Sequence, residues 1–95
     1  MRKPTRFEWD PAKAESNLRK HGVPFQAGAR VFDDEYRVDL VDERFDYGEE
    51  RRNATGLVEG VYVTVTYTMR GEETARIISA HPASRKERKH YGQDR

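Results

Sequence analysis

Arg70, Arg76, Arg85 and Arg88 are the side chains of this sequence best suited to chemistry on a phosphate. The first two flank the last predicted hairpin and the other two open the helix after it, so one sheet edge could gather several guanidinium groups. Guanidinium forks match phosphate oxygens two at a time and stay charged at any working pH, which suits a phosphorane-like transition state. The bland alternative is a solvated surface where these arginines pair with the abundant Asp and Glu, and spacing does not separate the two. His21, His81 and His90 invite a metal reading because imidazole is a common ligand, yet no two stand three or four residues apart, so no metal site is expected. His21 reads either as a helix C-terminal residue facing the dipole or as a catalytic group. Tyr67 could stack on a nucleobase, or fill the core from the strand face it shares with Val61, Val63 and Val65. Tyr91, on an otherwise hydrophilic helix, could meet substrate or dock that helix on the sheet.

The elements that would position these groups are legible from punctuation and period. Phe7-Glu8-Trp9 alternates and ends in Asp10-Pro11, an N-cap followed by proline at the first helical position. That helix should run from Pro11 to Lys20 or His21, because Gly22 suits a left-handed terminator and Pro24 cannot continue it. Pro24 can open a second short helix through Phe25, Ala29 and Phe32, which Asp33-Asp34 breaks. Strands follow: Tyr36 to Val41, a loop over Asp42 to Glu50 containing Tyr47-Gly48, a weaker strand from Arg51 to Val58, a two-residue turn at Glu59-Gly60, and the strongly β-prone Val61 to Tyr67 at the sheet centre. A turn at Met69 to Glu72 leads to Thr74–Ala80, where adjacent Ile77 and Ile78 predict burial on both faces. Strict alternation would put Ser79 and His81 on one face of that strand and Arg76 and Ala80 on the other, unless a bulge intervenes. Pro82 enforces an extended exit that leaves His81 at the junction near Arg85. Ser84-Arg85-Lys86-Glu87 fits a capping box for a last helix ending before Gly92, basic throughout, with Tyr91 its only large apolar side chain. The expected fold is α+β: a short N-terminal strand, two helices, a mainly antiparallel sheet and a C-terminal basic helix.

Ninety-five residues make one domain. Hydrophobic residues are 35% and charged ones 37%, while net charge is only +1, so attraction to nucleic acid has to come from local clustering. The absence of cysteine excludes disulfides and thiolate zinc sites and agrees with a cytoplasmic location. Basic Met1 to Arg6 is followed by Phe7, Glu8, Trp9 and Asp10, not an apolar run, so neither a signal peptide nor a membrane association is expected.

One set of residues resembles a known family. Trp9-Asp10-x-x-Lys13-x-x-x-Asn17-x-x-Lys20-His21-Gly22-Val23, then Phe25 and Val31-Phe32-Asp33, is similar to the N-terminal signature of the BrnT toxins. Glu50-Arg51 with Gly56, Tyr67-Thr68 with Arg70, Arg76-Ile77-Ile78-Ser79-Ala80, Ala83 and Glu87-Arg88-x-x-Tyr91 extend the likeness along nearly the whole chain. The resemblance implies a RelE-like ribonuclease that arrests translation. It also implies a BrnA-like ribbon-helix-helix antitoxin that neutralises the toxin and through which alone operator DNA is bound. On that basis Arg70, Arg76, His81 and Arg85 are the expected catalytic residues, and Lys20, His21, Tyr67, Arg88 and Tyr91 the expected RNA-binding ones, with no metal or other cofactor. The substrate's own 2′-hydroxyl would then be the nucleophile, leaving a 2′,3′-cyclic phosphate. Three departures from the pattern stand out: Arg52-Asn53 where an apolar pair is common, Gln26-Ala27-Gly28 in place of a more acidic stretch, and His81 where the family usually carries arginine. The last either weakens a nuclease or gives it a titratable proton-transfer group. The rival readings are a module that binds RNA or protein without cutting, and a decayed toxin that keeps antitoxin binding.

Overall fold

The computed structural model describes residues 3–44, 46 and 48–91; Met1, Arg2, Phe45, Tyr47 and the expected helix terminator Gly92 lie outside the described residues. The elements run β1 (Arg6–Glu8), α1 (Pro11–His21), α2 (Phe25–Arg30) with a 3-10 turn Val31–Asp33, β2 (Val38–Val41), β3 (Arg52–Val58), β4 (Val61–Arg70), β5 (Thr74–Pro82) and α3 (Arg85–His90). Among the described residues the five strands form one sheet in the order β1-β5-β4-β3-β2, antiparallel except where β1 lies parallel to β5. β4 is its centre, as its β-branched run implies.

Local chemistry accounts for the joints. The Asp10 carboxylate accepts the Ala12 N–H at 2.9 Å, and Gly22, at φ 73°, donates its N–H to the Leu18 carbonyl, closing α1 at both ends. Glu59 and Gly60 both take positive φ (47° and 81°), the mirror-image turn whose twist matches the strands of a two-residue hairpin. β4 continues to Arg70 and β5 to Pro82, so the hairpin turn falls on 71–73, later than expected, and β2 starts at Val38 instead of Tyr36.

The sheet has two unlike faces. α1, α2 and the 3-10 turn cover one, burying Phe25, Val31, Phe32, Val65, Tyr67, Ile77 and Ala80 to 2% exposure or less. α2 lies so close that a Cβ on Gly28 would come within 2.9 Å of Val65 Cγ2, which is why this helix tolerates a glycine at its centre. The other face carries Thr64, Thr66 and Thr68 of β4, Asn53 and Thr55 of β3, and α3 lies against it. Thr55 and Thr64 share a hydroxyl hydrogen bond at 2.8 Å, Thr66 donates to Asn53 Oδ1 at 2.6 Å, and Thr68 donates to the Glu50 carbonyl. A bulge in β5 decides which residues reach this polar face. Thr66 pairs with Ser79 and Tyr67 with Ile77, so Ile78 is an extra residue with no opposite number. Ile77 is buried and Ile78 only partly so, and the expected burial of both on a doubly covered strand is corrected by that bulge.

Candidate functional site

The bulge reverses the phase of β5. Ala75, Ile77 and Ala80 all point into the core, so Arg76, Ser79 and His81 come to share the polar face. Unbroken alternation would have separated Arg76 from His81. Opposite them on β4 stand Thr68 and Thr64 respectively, which puts the two side chains roughly 13 Å apart along the strand.

His81 sits at the end of the face where three elements meet. Its Nε2 lies 3.1 and 3.3 Å from the two carboxylate oxygens of Glu87, on α3. Glu87 also accepts the Ser84 N–H at 2.7 Å, and the Ser84 hydroxyl accepts the Glu87 N–H, completing the capping box. Burial works against the charge on Glu87, but the Ser84 N–H, the adjacent His81 ring and the Thr64 hydroxyl outweigh it and hold the carboxyl below its ordinary range. An ionised carboxylate only accepts, so His81 turns an Nε2–H toward Glu87, which leaves Nδ1 as the acceptor of the neutral ring. From α1, the ring of His21 approaches to 5.8 Å, centre to centre.

Asn17 fixes that approach. Buried at 8% exposure, it donates from Nδ2 to the carbonyls of Val23 (2.9 Å) and Ala80 (2.7 Å) and accepts the Ala80 N–H on Oδ1 at 3.2 Å. β1 pairs with β5 only as far as Arg76, so beyond that point the Asn17 amide serves as the neighbour of β5 in place of a strand. Beside His81 and Glu87 opens a groove of about 370 Å³ between α3 and β2, floored by Val38, Leu40, Asn53 and Thr55 and edged by Lys86 and His90.

The other expected site residues scatter around this centre. Arg76 pairs with Glu8 at 2.8 Å, and Arg70, diagonal to it, reaches Glu49 at 3.5 Å; both remain partly exposed on the polar face. Arg85 is exposed at the first turn of α3, where with Arg88, Lys89 and Tyr62 it lines a shallow basic cleft, and the Arg88 guanidinium lies 4.7 Å over the Tyr62 ring. Lys20 is exposed on the last turn of α1. Tyr91 packs edge-on against Tyr62 at 5.2 Å and donates its hydroxyl to Asp34, so it docks α3. Burial, then the contact with Asp34, pushes that hydroxyl up to about 12. Tyr67 is on the wrong face for a base. It is fully buried, edge-on to Phe32 at 4.9 Å, with its hydroxyl on Asp39, whose carboxylate also takes Arg52 at 2.7 Å. The expectation that Tyr67 binds RNA is thereby corrected: the apolar strand face it shares with Val63 and Val65 carries it into the core.

Two residues went unnoticed in the sequence as parts of a site. Glu87 read as a helix cap and as part of the family likeness, with no signal that it would face His81. Asn17 read as a member of the family signature, and its place beside Leu18 gave no sign of burial; Leu18 is in fact 47% exposed.

The family described as ribonuclease toxin, BrnT, of type II toxin-antitoxin systems matches residues 9–87. In architecture the chain is similar to the ribonuclease toxin BrnT of Brucella abortus, whose crystal structure was solved at 1.1 Å: TM-score 0.61, 25% identity, 85% of this chain and 100% of that one covered. No curated protein matches the chain.

Proposed function

The chain belongs to the BrnT ribonuclease toxins of type II toxin-antitoxin systems, with RNA as substrate and an antitoxin as partner, and from that premise we propose that it cuts RNA without a metal ion at the His81–Glu87 pair. His81 Nδ1 takes the proton of a 2′-hydroxyl, which then attacks the adjacent phosphorus and displaces the 5′-oxygen. Glu87 holds the ring in the tautomer that this needs and stabilises the imidazolium that forms. Arg76 and Arg70 hold phosphates along the polar face, and Arg85 neutralises charge from the first turn of α3. Lys20, His21 and Arg88 edge the same path and bind the strand; Tyr91 contributes by keeping α3 in place.

The observation that carries this reading is the carboxylate-backed imidazole at the meeting of α1, β5 and α3. Among the described residues no group of three His, Asp or Glu side chains is placed to hold a metal ion. The partner is read as a BrnA-like ribbon-helix-helix antitoxin, the contact with operator DNA as made through it, and the site of action as the cytoplasm. Among the described residues no helix is long and apolar enough to cross a membrane.

The test is cleavage of a defined RNA by the purified chain in excess chelator. The expected products end in 2′,3′-cyclic phosphate and 5′-hydroxyl, and added antitoxin stops their formation. Products ending in 5′-phosphate, or activity lost to the chelator, would overturn the mechanism; folded protein that binds the antitoxin yet cuts nothing would mark a decayed toxin.

A further inference from the structure

His21 has so far only a binding role, and its position asks for more. It closes α1 with its ring 5.8 Å from that of His81, the two planes inclined at 50°. Neither ring is buried, and the Glu87 carboxylate engages His81. Rings this close can both reach one phosphodiester group lying against them, one at each of its two reacting oxygens. The scaffold keeps them so: Asn17 ties α1 to Ala80, the residue before His81, and the left-handed Gly22 turn ends the helix at His21.

We propose that His21 is the second proton-transfer residue of the cleavage, delivering a proton to the departing 5′-oxygen while His81 accepts the proton of the 2′-hydroxyl. The inference rests on the reading that RNA is cut at His81. Surroundings divide the labour. His81 is backed by an anion, which suits the group that must become a cation as it accepts a proton. His21, the last residue of α1, faces that ring from the other element and takes the remaining role. The charged groups around the pair are Arg19 and Lys20 on α1, Lys86, Glu87 and His90 on α3, and Asp42, Glu43 and Arg44, which follow β2 along the groove. In the step itself the O2′–H proton moves to His81, the O2′–P bond forms, the P–O5′ bond breaks, and the proton of the His21 imidazolium ends on O5′. The products are a 2′,3′-cyclic phosphate and a 5′-hydroxyl, and solvent returns both rings to their starting states.

The experiment follows kcat/KM from pH 5 to 9 for the parent, His21→Gln, His21→Asn and His81→Gln. Each is assayed on an oligoribonucleotide and on the same strand with sulfur in place of the bridging 5′-oxygen, whose thiolate departs without a proton. The parent should give a bell. Both His21 variants should lose about 10²-fold or more on the oxygen substrate together with the alkaline limb, and recover most of that on the sulfur substrate. His81→Gln should be slow on both. Losses in the His21 variants that are equal on the two substrates, or an unaltered bell, would overturn the proposal and leave His21 as a binding residue. A parent that cuts neither substrate would instead overturn the nuclease reading on which it rests.

Discussion

Replacing Asn17 by alanine removes the clasp between α1 and β5, and its cost can be worked from three bonds. Asn17 Nδ2 donates at 2.9 and 2.7 Å and Oδ1 accepts at 3.2 Å, all in a buried setting. At about 1 kcal/mol net for each, and with the Ala80 N–H and carbonyl then left without a partner beyond the end of β1, Asn17→Ala should cost about 3 kcal/mol. For a domain of this size that is a fall in Tm of roughly 15 °C. Thermal melts followed by circular dichroism, with urea titrations to check that the m-value is unchanged, measure it. Asn17→Asp is the informative companion. It keeps an acceptor for the Ala80 N–H but sets a carboxylate against two carbonyls, and burial would raise its pKa in the fold. Its stability relative to the parent should therefore be greatest at pH below the ordinary aspartate value and decline as pH rises through neutrality. A loss under about 1 kcal/mol for Asn17→Ala, or an aspartate variant indifferent to pH, would refute the argument that this side chain replaces a strand.

Glu87→Gln should cost about 10²-fold in cleavage rate with little change in Tm, because glutamine still serves in a capping box but no longer fixes or compensates His81; initial rates beside a melt check both. Acid should release α3 before the sheet unfolds. Burial opposes ionisation of Asp34 and Glu87, yet the bonds from Tyr91, Leu57 and Tyr36 to one and from Ser84, with the adjacent His81, to the other hold both carboxyls below their ordinary 3.8 and 4.5. Folded values that are depressed mean that this anchoring is complete above the ordinary values and is lost as pH falls through the lower ones. Amide exchange of residues 85–91 against those of β4 along an acid series reads it, and simultaneous loss would contradict it. Arg76→Ala and Arg70→Ala each break an exposed ion pair, so Tm should move by no more than about 3 °C while cleavage and toxicity fall; parental toxicity in both would remove the arginines from the site.

The helix ends were legible because their signals are local: Asp10-Pro11, Gly22 and the capping box at Ser84 each act within a turn of themselves. The Glu59-Gly60 hairpin was legible for the same reason. The docking of α3 was legible only in Tyr91, the one large apolar side chain that could seat it on the sheet. The helix buries none of its own residues, and what holds it is a set of pairwise contacts: Glu87 to His81, six residues back, and Tyr91 to Tyr62 and Asp34 with Arg88 over Tyr62, whose partners lie far off in sequence. A hydrophobic stripe announces a buried helix, but no periodicity announces a helix held by two carboxylates. Tyr67 shows the converse. Its aromatic ring and its place near Arg70 suggested a substrate contact, while the valines alternating with it already named the face on which it is buried.

The candidate site as a whole turns on one residue that periodicity misread. Ile77-Ile78 looks like a strand covered on both sides, and on that reading His81 would share a face with Ala75 and Ile77, in the core. The inner face explains why the chain breaks phase instead. Under α1 and α2 the space at the end of β5 admits only a small side chain: Ala80 is fully buried, and a Cβ on Gly28 would lie 3.4 Å from the Cβ of Ala80. An imidazole could not fit there, and Asn17 needs the Ala80 peptide in register to complete its bonds. Making Ile78 the extra residue satisfies both demands. The same shift that puts Ala80 against α2 turns His81 outward to Glu87 and brings it to the face that holds Arg76. Packing on one side of the sheet thus selects the chemistry on the other, and because Ile78 is the extra residue, its deletion should leave Ser79 opposite Thr66, Ala80 in the core and His81 on the polar face, whereas a further insertion beside it should turn His81 inward and destroy fold and activity together.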